Sequence, residues 1–240
     1  MTVSTALDSF LDKWRARWPE WAVAEVFVPE AERARAVAWF ALLQEFDDIL
    51  NIAGDPLPAD AKLGWWATEL HDWAGDRSRH PLGRLLEPVP APWARLAEAL
   101  PALTGARARP ADAAAAFAAL AAYAAAVAAV EAVVLDGPAP SAPVVTAQVL
   151  ATRLAEVGPA AVPQAYPPAG EGAAAQEAAQ RAWAGDLLDA WPVRVAGARP
   201  RRIVSTLARR RLEQVAAQRP AAAGAHPVRL LWRSWRAARD

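Results

Sequence analysis

Residues Trp39 to Asn51 read WFALLQEFDDILN. The segment is apolar, yet five polar side chains crowd its second half: Gln44, Glu45, Asp47, Asp48 and Asn51. At about 100° per residue, Gln44, Asp47, Asp48 and Asn51 share an arc of roughly 100°, with Glu45 just outside it. Phe46, Ile49, Leu50, Leu42 and Leu43 take the remainder. One polar stripe therefore runs along an otherwise apolar helix. Two readings follow from the residues alone. The stripe is a solvated face, or its oxygens hold a hard cation such as Mg²⁺, which takes one or two carboxylates together with phosphate oxygens and waters.

Composition bounds the rest. The chain has 240 residues, 55% of them apolar, enough for one large domain spanning 1–240 or two small ones. There is no cysteine, which excludes disulfides, thiolate metal sites and cysteine nucleophiles. The N-terminus has early acidic residues and no apolar core before a cleavage site, so no signal peptide is expected and a cytoplasmic location is allowed. Lysine occurs only at Lys13 and Lys62; the other 24 of the 26 basic residues are arginine. The zero net charge is divided unevenly. From Arg194 to Asp240, twelve arginines face only Glu213 and Asp240, a net of +10, which leaves the preceding residues at −10.

Helical periodicity predicts an all-α chain. Helices are expected at about Thr5–Trp18, Glu30–Ile52, Asp60–Trp73 (with Asp60 as N-cap), Trp93–Leu103, Asp112–Leu135, Val144–Val157, Ala173–Ala190, Pro200–Gln218 and His226–Ala238. The spacing of Leu63, Trp66, Leu70 and Trp73 marks one core-facing stripe. The Ala-rich helix from Asp112 is long enough to span a bilayer, with Glu131 as its one charge. Alanine contributes little transfer free energy, basic flanks are missing, and Asp112 and Asp136 bracket it, so a central helix with close neighbours is expected. Residues 158–172 form the candidate hinge or lid. His71 is expected at the surface, and His80 and His226 open turns before proline.

Three stretches resemble the N-terminal half of the squalene/phytoene synthase family, in order and spacing. They are VFVPEAERARAVAWFALLQEFDDILN, KLGWWATELHDW and HPLGRLL, which include Val28-Pro29, Arg33, the Asp47-Asp48-Ile49-Leu50-Asn51 element, Lys62 to Leu70 and His80-Pro81. The resemblance covers about residues 20–90. It implies a single-domain isoprenoid-synthase-like bundle around a central cavity, where two Asp-rich helices hold Mg²⁺ and grip prenyl diphosphates. Carried over by position, it assigns Asp47, Asp48 and Asn51 to metal, and Gln44, Tyr123 and Arg153 to substrate. The chain departs from the pattern at several points. Asn51 stands for an Asp, Gln44 for an Arg, and Ala129 for a Gly. The second Asp-rich element, expected near 145–163, is replaced by TAQVLATRLAEVGPAAVP, whose charges are Arg153 and Glu156.

These departures favour a divergent relative of reduced catalytic capacity, with weak Mg²⁺ binding and a bundle that holds an isoprenoid or other lipid. It would serve as a membrane-associated assembly or scaffold protein. The alternative is an active Mg²⁺-dependent prenyl-diphosphate transferase that recruits Glu25, Glu69 or Glu131. The C-terminal HPVRLLWRSWRAARD places Arg229, Arg233 and Arg236 on one side of a helix and Val228, Leu231, Trp232 and Trp235 on the other. Either Leu231, Trp232 and Trp235 dock on the bundle, or the helix lies peripherally on an inner membrane surface. No nucleic-acid module is legible.

Overall fold

The computed structural model describes residues 5–168, 170–192, 194–217 and 227–239. Two expected helix ends, at Gln218 and His226, lie outside them. Among the described residues the regular structure is all helical, as the periodicity predicts.

Helix α1 (Ala6–Arg17) starts at a capping box, in which Thr5 and Asp8 exchange side-chain and backbone hydrogen bonds. After the short α2 (Trp21–Ala24), Pro29 leads into α3 (Glu30–Leu50). Helix α3 is the hub, touching α1 and α4 (Leu57–Trp73), then α5 (Gly83–Leu86), α7 (Pro101–Gly105), α8 (Ala113–Val134) and α9 (Ala142–Val157). Its unbroken buried run from Ala36 to Leu42 is what a helix enclosed on all sides requires. Helix α6 (Trp93–Ala99) packs on α4 and α8. Three C-terminal helices close the bundle: α10 (Ala173–Ala190), α11 (Arg199–Ala216) and α12 (Pro227–Arg239).

Two boundaries differ from expectation for local reasons. Helix α4 begins at Leu57, where Asp55 accepts from the Leu57 amide and Pro58 suits the first turn. Asp60 lies inside the helix and accepts from Arg107 Nη1 at 2.6 Å. The helix expected over Trp93–Leu103 is divided into α6 and α7, because Pro101 has no amide to continue the ladder.

The expected core residues are buried. Trp39, Phe46, Trp66 and Trp73 are each at most 1% exposed. Trp73 meets Trp93 edge-on at 5.1 Å, Phe46 meets Trp66 at 5.6 Å, and Tyr123 of α8 continues the chain of rings to Phe46 at 6.3 Å. Each such pair contributes about 0.5–1.5 kcal/mol beyond its area.

Within the segment expected as a hinge or lid, residues 162–166 are tied down. Gln164 and Ala165 donate backbone hydrogen bonds to Pro110 and Ala111, Arg109 reaches Val162 O at 2.7 Å, and the Tyr166 hydroxyl donates to Asp186.

Helix α8 has the length and hydropathy of a membrane span. In the fold it is packed by α3, α6, α7 and α9, and its one charge is neutralised inside the protein. Glu131 accepts from Arg201 Nε at 2.7 Å, again from Arg201 Nη2, and from Trp39 Nε1 at 2.7 Å. Arg201 spends a further donor on Gln148 Oε1 at 2.9 Å. Gly197, at φ 136°, lets the backbone turn into α11 close to the Arg201 side chain; an added Cβ there would lie 2.9 Å from Arg201 Cγ.

Removing one member of this pair leaves an uncompensated charge in the core. Glu131→Ala is expected to lower unfolding free energy by about 3–5 kcal/mol in urea denaturation. The apolar double substitution Glu131→Leu/Arg201→Met should recover most of that loss.

Candidate functional site

The polar stripe of α3 is divided among three surroundings. Gln44 and Asp48 lie beneath α1. Gln44 Nε2 donates to Asp48 Oδ1 at 2.9 Å. Lys13 Nζ approaches Asp48 Oδ2 at 3.4 Å, and Arg17 Nη2 approaches Oδ1 at 3.7 Å. The same Arg17 nitrogen binds Glu156, which projects from α9. One guanidinium thus bridges carboxylates from two facing helices. Next door, buried Glu45 takes both lysines of the chain, Lys13 at 2.9 Å and Lys62 at 2.6 Å. Burial pushes the Glu45 carboxyl up, but the hydrogen bonds from Lys62 and Lys13 outweigh it and hold it below the ordinary glutamate value.

Asp47 belongs to the interior. It lines a cavity of about 20 Å³ with Leu43, Tyr123, Val127, Gln148 and Arg201 among its walls. That is room for about one water molecule. The space beside Asp47 is small because Glu131, Arg201 and Trp39 occupy the bundle axis; another, of about 60 Å³, is lined by Arg17, Gln44 and Glu156. Burial, followed by the neighbouring Asp48 charge, raises the Asp47 carboxyl to about 8. Tyr123 lines the same space as expected, and burial first, then Asp47, raises its hydroxyl well above the ordinary tyrosine value.

Asn51 and Arg153 meet at a third place. Arg153 Nη1 donates to Asn51 Oδ1 and to Leu50 O, both at 3.2 Å, and Nη2 donates to Arg107 O at 2.6 Å. Its guanidinium caps the carbonyl end of α3 and fastens the turn after α7. The Asn51 amide nitrogen is buried without a partner. Arg33 likewise serves backbone, donating to Val28 O at 2.9 Å.

Of the six sequence-derived site residues, the structure brings together Gln44 with Asp48, Asp47 with Tyr123, and Asn51 with Arg153. It does not gather them around one open space. This arrangement does not fit a Mg²⁺–diphosphate site. Asp48 and Glu156 already face cations of the chain, Asp47 is set apart from them beside Tyr123 and Arg201, and Arg153 is committed to carbonyls. Among the described residues, no group of three or more His, Asp or Glu side chains is placed to share a metal ion.

Two of the three glutamates considered as recruits, Glu69 and Glu131, serve structure. Glu69 is fully buried and accepts from Trp73 Nε1 and from the Arg79 and His80 amides, fixing the His80-Pro81 turn. Glu131 is held by Arg201. Sequence reading singled out Glu131 but missed Arg201 and Gln148. The available signal was that a lone carboxylate in an alanine helix must find a buried cation; nothing marked which of 24 arginines supplies it.

Asp47 gives a pH dependence. Its proton is bound more tightly in the folded state, so its contribution to stability is full below about pH 4, declines as pH rises, and is gone above about 8. Asp47→Asn lacks this dependence. Its melting temperature should exceed that of the parent most at pH 8 to 9, and the difference should shrink toward pH 4 in scanning calorimetry.

The crystal structure of squalene synthase HpnC from Alicyclobacillus acidocaldarius aligns with 98% of this chain and 96% of its own, at 17% identity and a TM-score of 0.49. No curated protein sequence matches. Residues 19–135 match the sequence model of the family described as squalene/phytoene synthase. That stretch holds the Asp47-Asp48 helix, the Trp66–Trp73 helix, the His80-Pro81 turn and the whole of α8, and over it this chain is similar to the squalene/phytoene synthase family.

Proposed function

We propose that this protein is a non-catalytic, squalene/phytoene synthase-like bundle that works as a membrane-associated assembly or scaffold protein. The observation that carries the reading is the filled axis. Glu131, Arg201 and Trp39 occupy the bundle centre, and the space beside Asp47 is about 20 Å³. A ligand of drug or prenyl size needs a pocket of about 300 Å³ or more. A chain of isoprene units therefore has no room beside Asp47 unless α8 and α11 separate, which would expose a buried ion pair to an apolar ligand.

Electrostatics support the same reading. Ionising an allylic diphosphate requires cations aimed at the departing charge, and loss of one such contact costs about 2.7–4 kcal/mol. Here Arg17 and Lys13 are aimed at the chain's own carboxylates. The facing helix α9 offers Glu156 alone, already bound to Arg17.

A second reading, an active Mg²⁺-dependent prenyl-diphosphate transferase, is favoured by that same Arg17 bridge. Asp48 and Glu156 come from two helices and meet at one cation, so a divalent ion could replace the guanidinium if α1 lifted. With farnesyl or geranylgeranyl diphosphate, Mg²⁺ and NADPH, the purified protein should form no squalene or phytoene. Calorimetric titration with Mg²⁺ and inorganic diphosphate should show no saturable metal-dependent heat. Arg17→Ala should create a weak Mg²⁺ response that Asp48→Ala abolishes. Turnover by the parent protein would establish the transferase reading in place of the scaffold one.

A further inference from the structure

His80 is fixed through its ring as well as its backbone. Its amide donates to buried Glu69, its carbonyl accepts from the Gly83 amide at 2.9 Å, and its Nδ1 accepts from the Leu82 amide at 3.2 Å. Pro81, between them, has no amide, so Leu82 supplies the first donor after the ring. An Nδ1 that accepts leaves the proton of neutral imidazole on Nε2. The turn has no slack on its far side. Gly83 is buried, and an added Cβ there would lie 2.4 Å from Ser78 Cβ.

The same ring is a contact between two helices. Phe10 of α1 meets it edge-on with centroids 4.5 Å apart, Trp66 of α4 lies tilted at 4.5 Å, and Trp65 meets it edge-on at 5.9 Å. His80 is half-buried, so its ring exchanges protons with solvent. Charges act on it from the elements packed around it: Glu45 of α3, and Glu69 and Lys62 of α4. Lys13 of α1 is bound to Glu45, and Arg79 of the turn to Glu69 and Asp72. Burial holds the His80 ring below the ordinary histidine value of 6.5; the two glutamates oppose this and Lys62 assists it.

We infer that His80 is an acid-operated fastener between α1 and α4: a proton from solvent on Nδ1 turns that acceptor into a donor, breaks its hydrogen bond with Leu82 and swings the ring out of its contacts with Phe10 and Trp66. The imidazolium carries N–H on both nitrogens, and two donors facing each other at 3.2 Å repel. The Leu82 amide has little freedom to withdraw, because Gly83 is wedged against Ser78. The ring therefore moves, and its contacts are what α1 and α4 share. The device goes beyond the scaffold reading and does not depend on it.

The folded state binds this proton less tightly than the unfolded chain. The contribution of neutral His80 is therefore full above pH 6.5 and is lost as the pH falls through the lower folded value. Asp47 changes stability in the opposite sense on acidification, so a local measurement is needed. Amide hydrogen exchange of the full chain, corrected for intrinsic rates, isolates the turn. Protection of the Leu82 amide should fall about twofold to tenfold as the ring is titrated from neutral pH downward, the range expected for one lost hydrogen bond. Exchange of the α1 amides around Phe10 should rise with the same midpoint, and that midpoint should match the His80 ring titration followed by NMR. His80→Asn keeps a side-chain acceptor two residues before Leu82 and does not titrate, so its protection should not change with pH. His80→Phe keeps an aromatic ring without the acceptor, so Leu82 should be poorly protected at every pH. Four results would overturn the inference. Ring titration with constant Leu82 protection would separate the proton from the hydrogen bond. A fall that persists in His80→Asn would assign the effect to another group, such as Glu45 or Glu69. Titration of the ring at or above 6.5 would mean that the fold favours the charged form. Unchanged exchange in α1 would confine the event to the turn and remove the fastener.

Discussion

Everything at the centre of this bundle is arranged around the Glu131–Arg201 ion pair. Removing two charges from water is costly, and their attraction offsets that cost only when the remaining donors and acceptors are also met. Here they are. Trp39 supplies a third hydrogen bond to the carboxylate, and Gln148 takes a further guanidinium donor. The pair joins α8 to α11, Trp39 brings in α3, and Gln148 brings in α9. Four helices are thus held in one register by a single buried network. An apolar contact of the same size would hold them together without specifying that rotation. The small side chains of α8 let its neighbours approach closely enough for the network to close.

The same network explains the fate of the acidic stripe. With the axis occupied, Asp47 faces a small space beside Tyr123 while Arg201 is committed to Glu131, and burial outweighs the nearby arginines to push its carboxyl up. Asp48, one position along, turns toward α1 and finds Lys13 and Arg17. Neighbouring residues of one helix therefore have different electrostatic environments. An aspartate pair that could share a divalent ion in an open cleft is divided between a closed interior and a surface ion network. Glu45 shows what a buried carboxylate requires here, since it draws both lysines of the protein to itself.

The outside of the molecule is built on a different imbalance. The C-terminal segment carries a net of +10 and the preceding residues a net of −10. Arg201 is used in the core, Arg211 pairs with Glu20 and lies 3.8 Å from the Trp18 ring, and Arg202 holds α12 in place. Those contacts fasten α11 and α12 to the bundle. Arginines of both helices line the cleft between them, and α12 leaves Trp232 and Trp235 exposed.

The sequence by itself determined the helices and much of the core. The prolines at 29 and 92, the caps at Thr5 and Asp112 and the stripe Leu63–Trp66–Leu70–Trp73 are local signals, and local backbone chemistry obeys them. The family resemblance was legible for the same reason, because most of its marks lie on consecutive turns of α3 and α4. Tertiary structure decided the site. Arg201 is 70 residues from Glu131, Arg17 is 139 from Glu156, and Arg153 is 102 from Asn51. Periodicity says which face of a helix is polar but not what confronts it. The C-terminal helix is the sharpest case. Its apolar face was plain in the sequence, yet the docking face is the narrower one of Leu230, Ser234 and Ala238, because Arg202 binds the carbonyls at its end and sets its rotation.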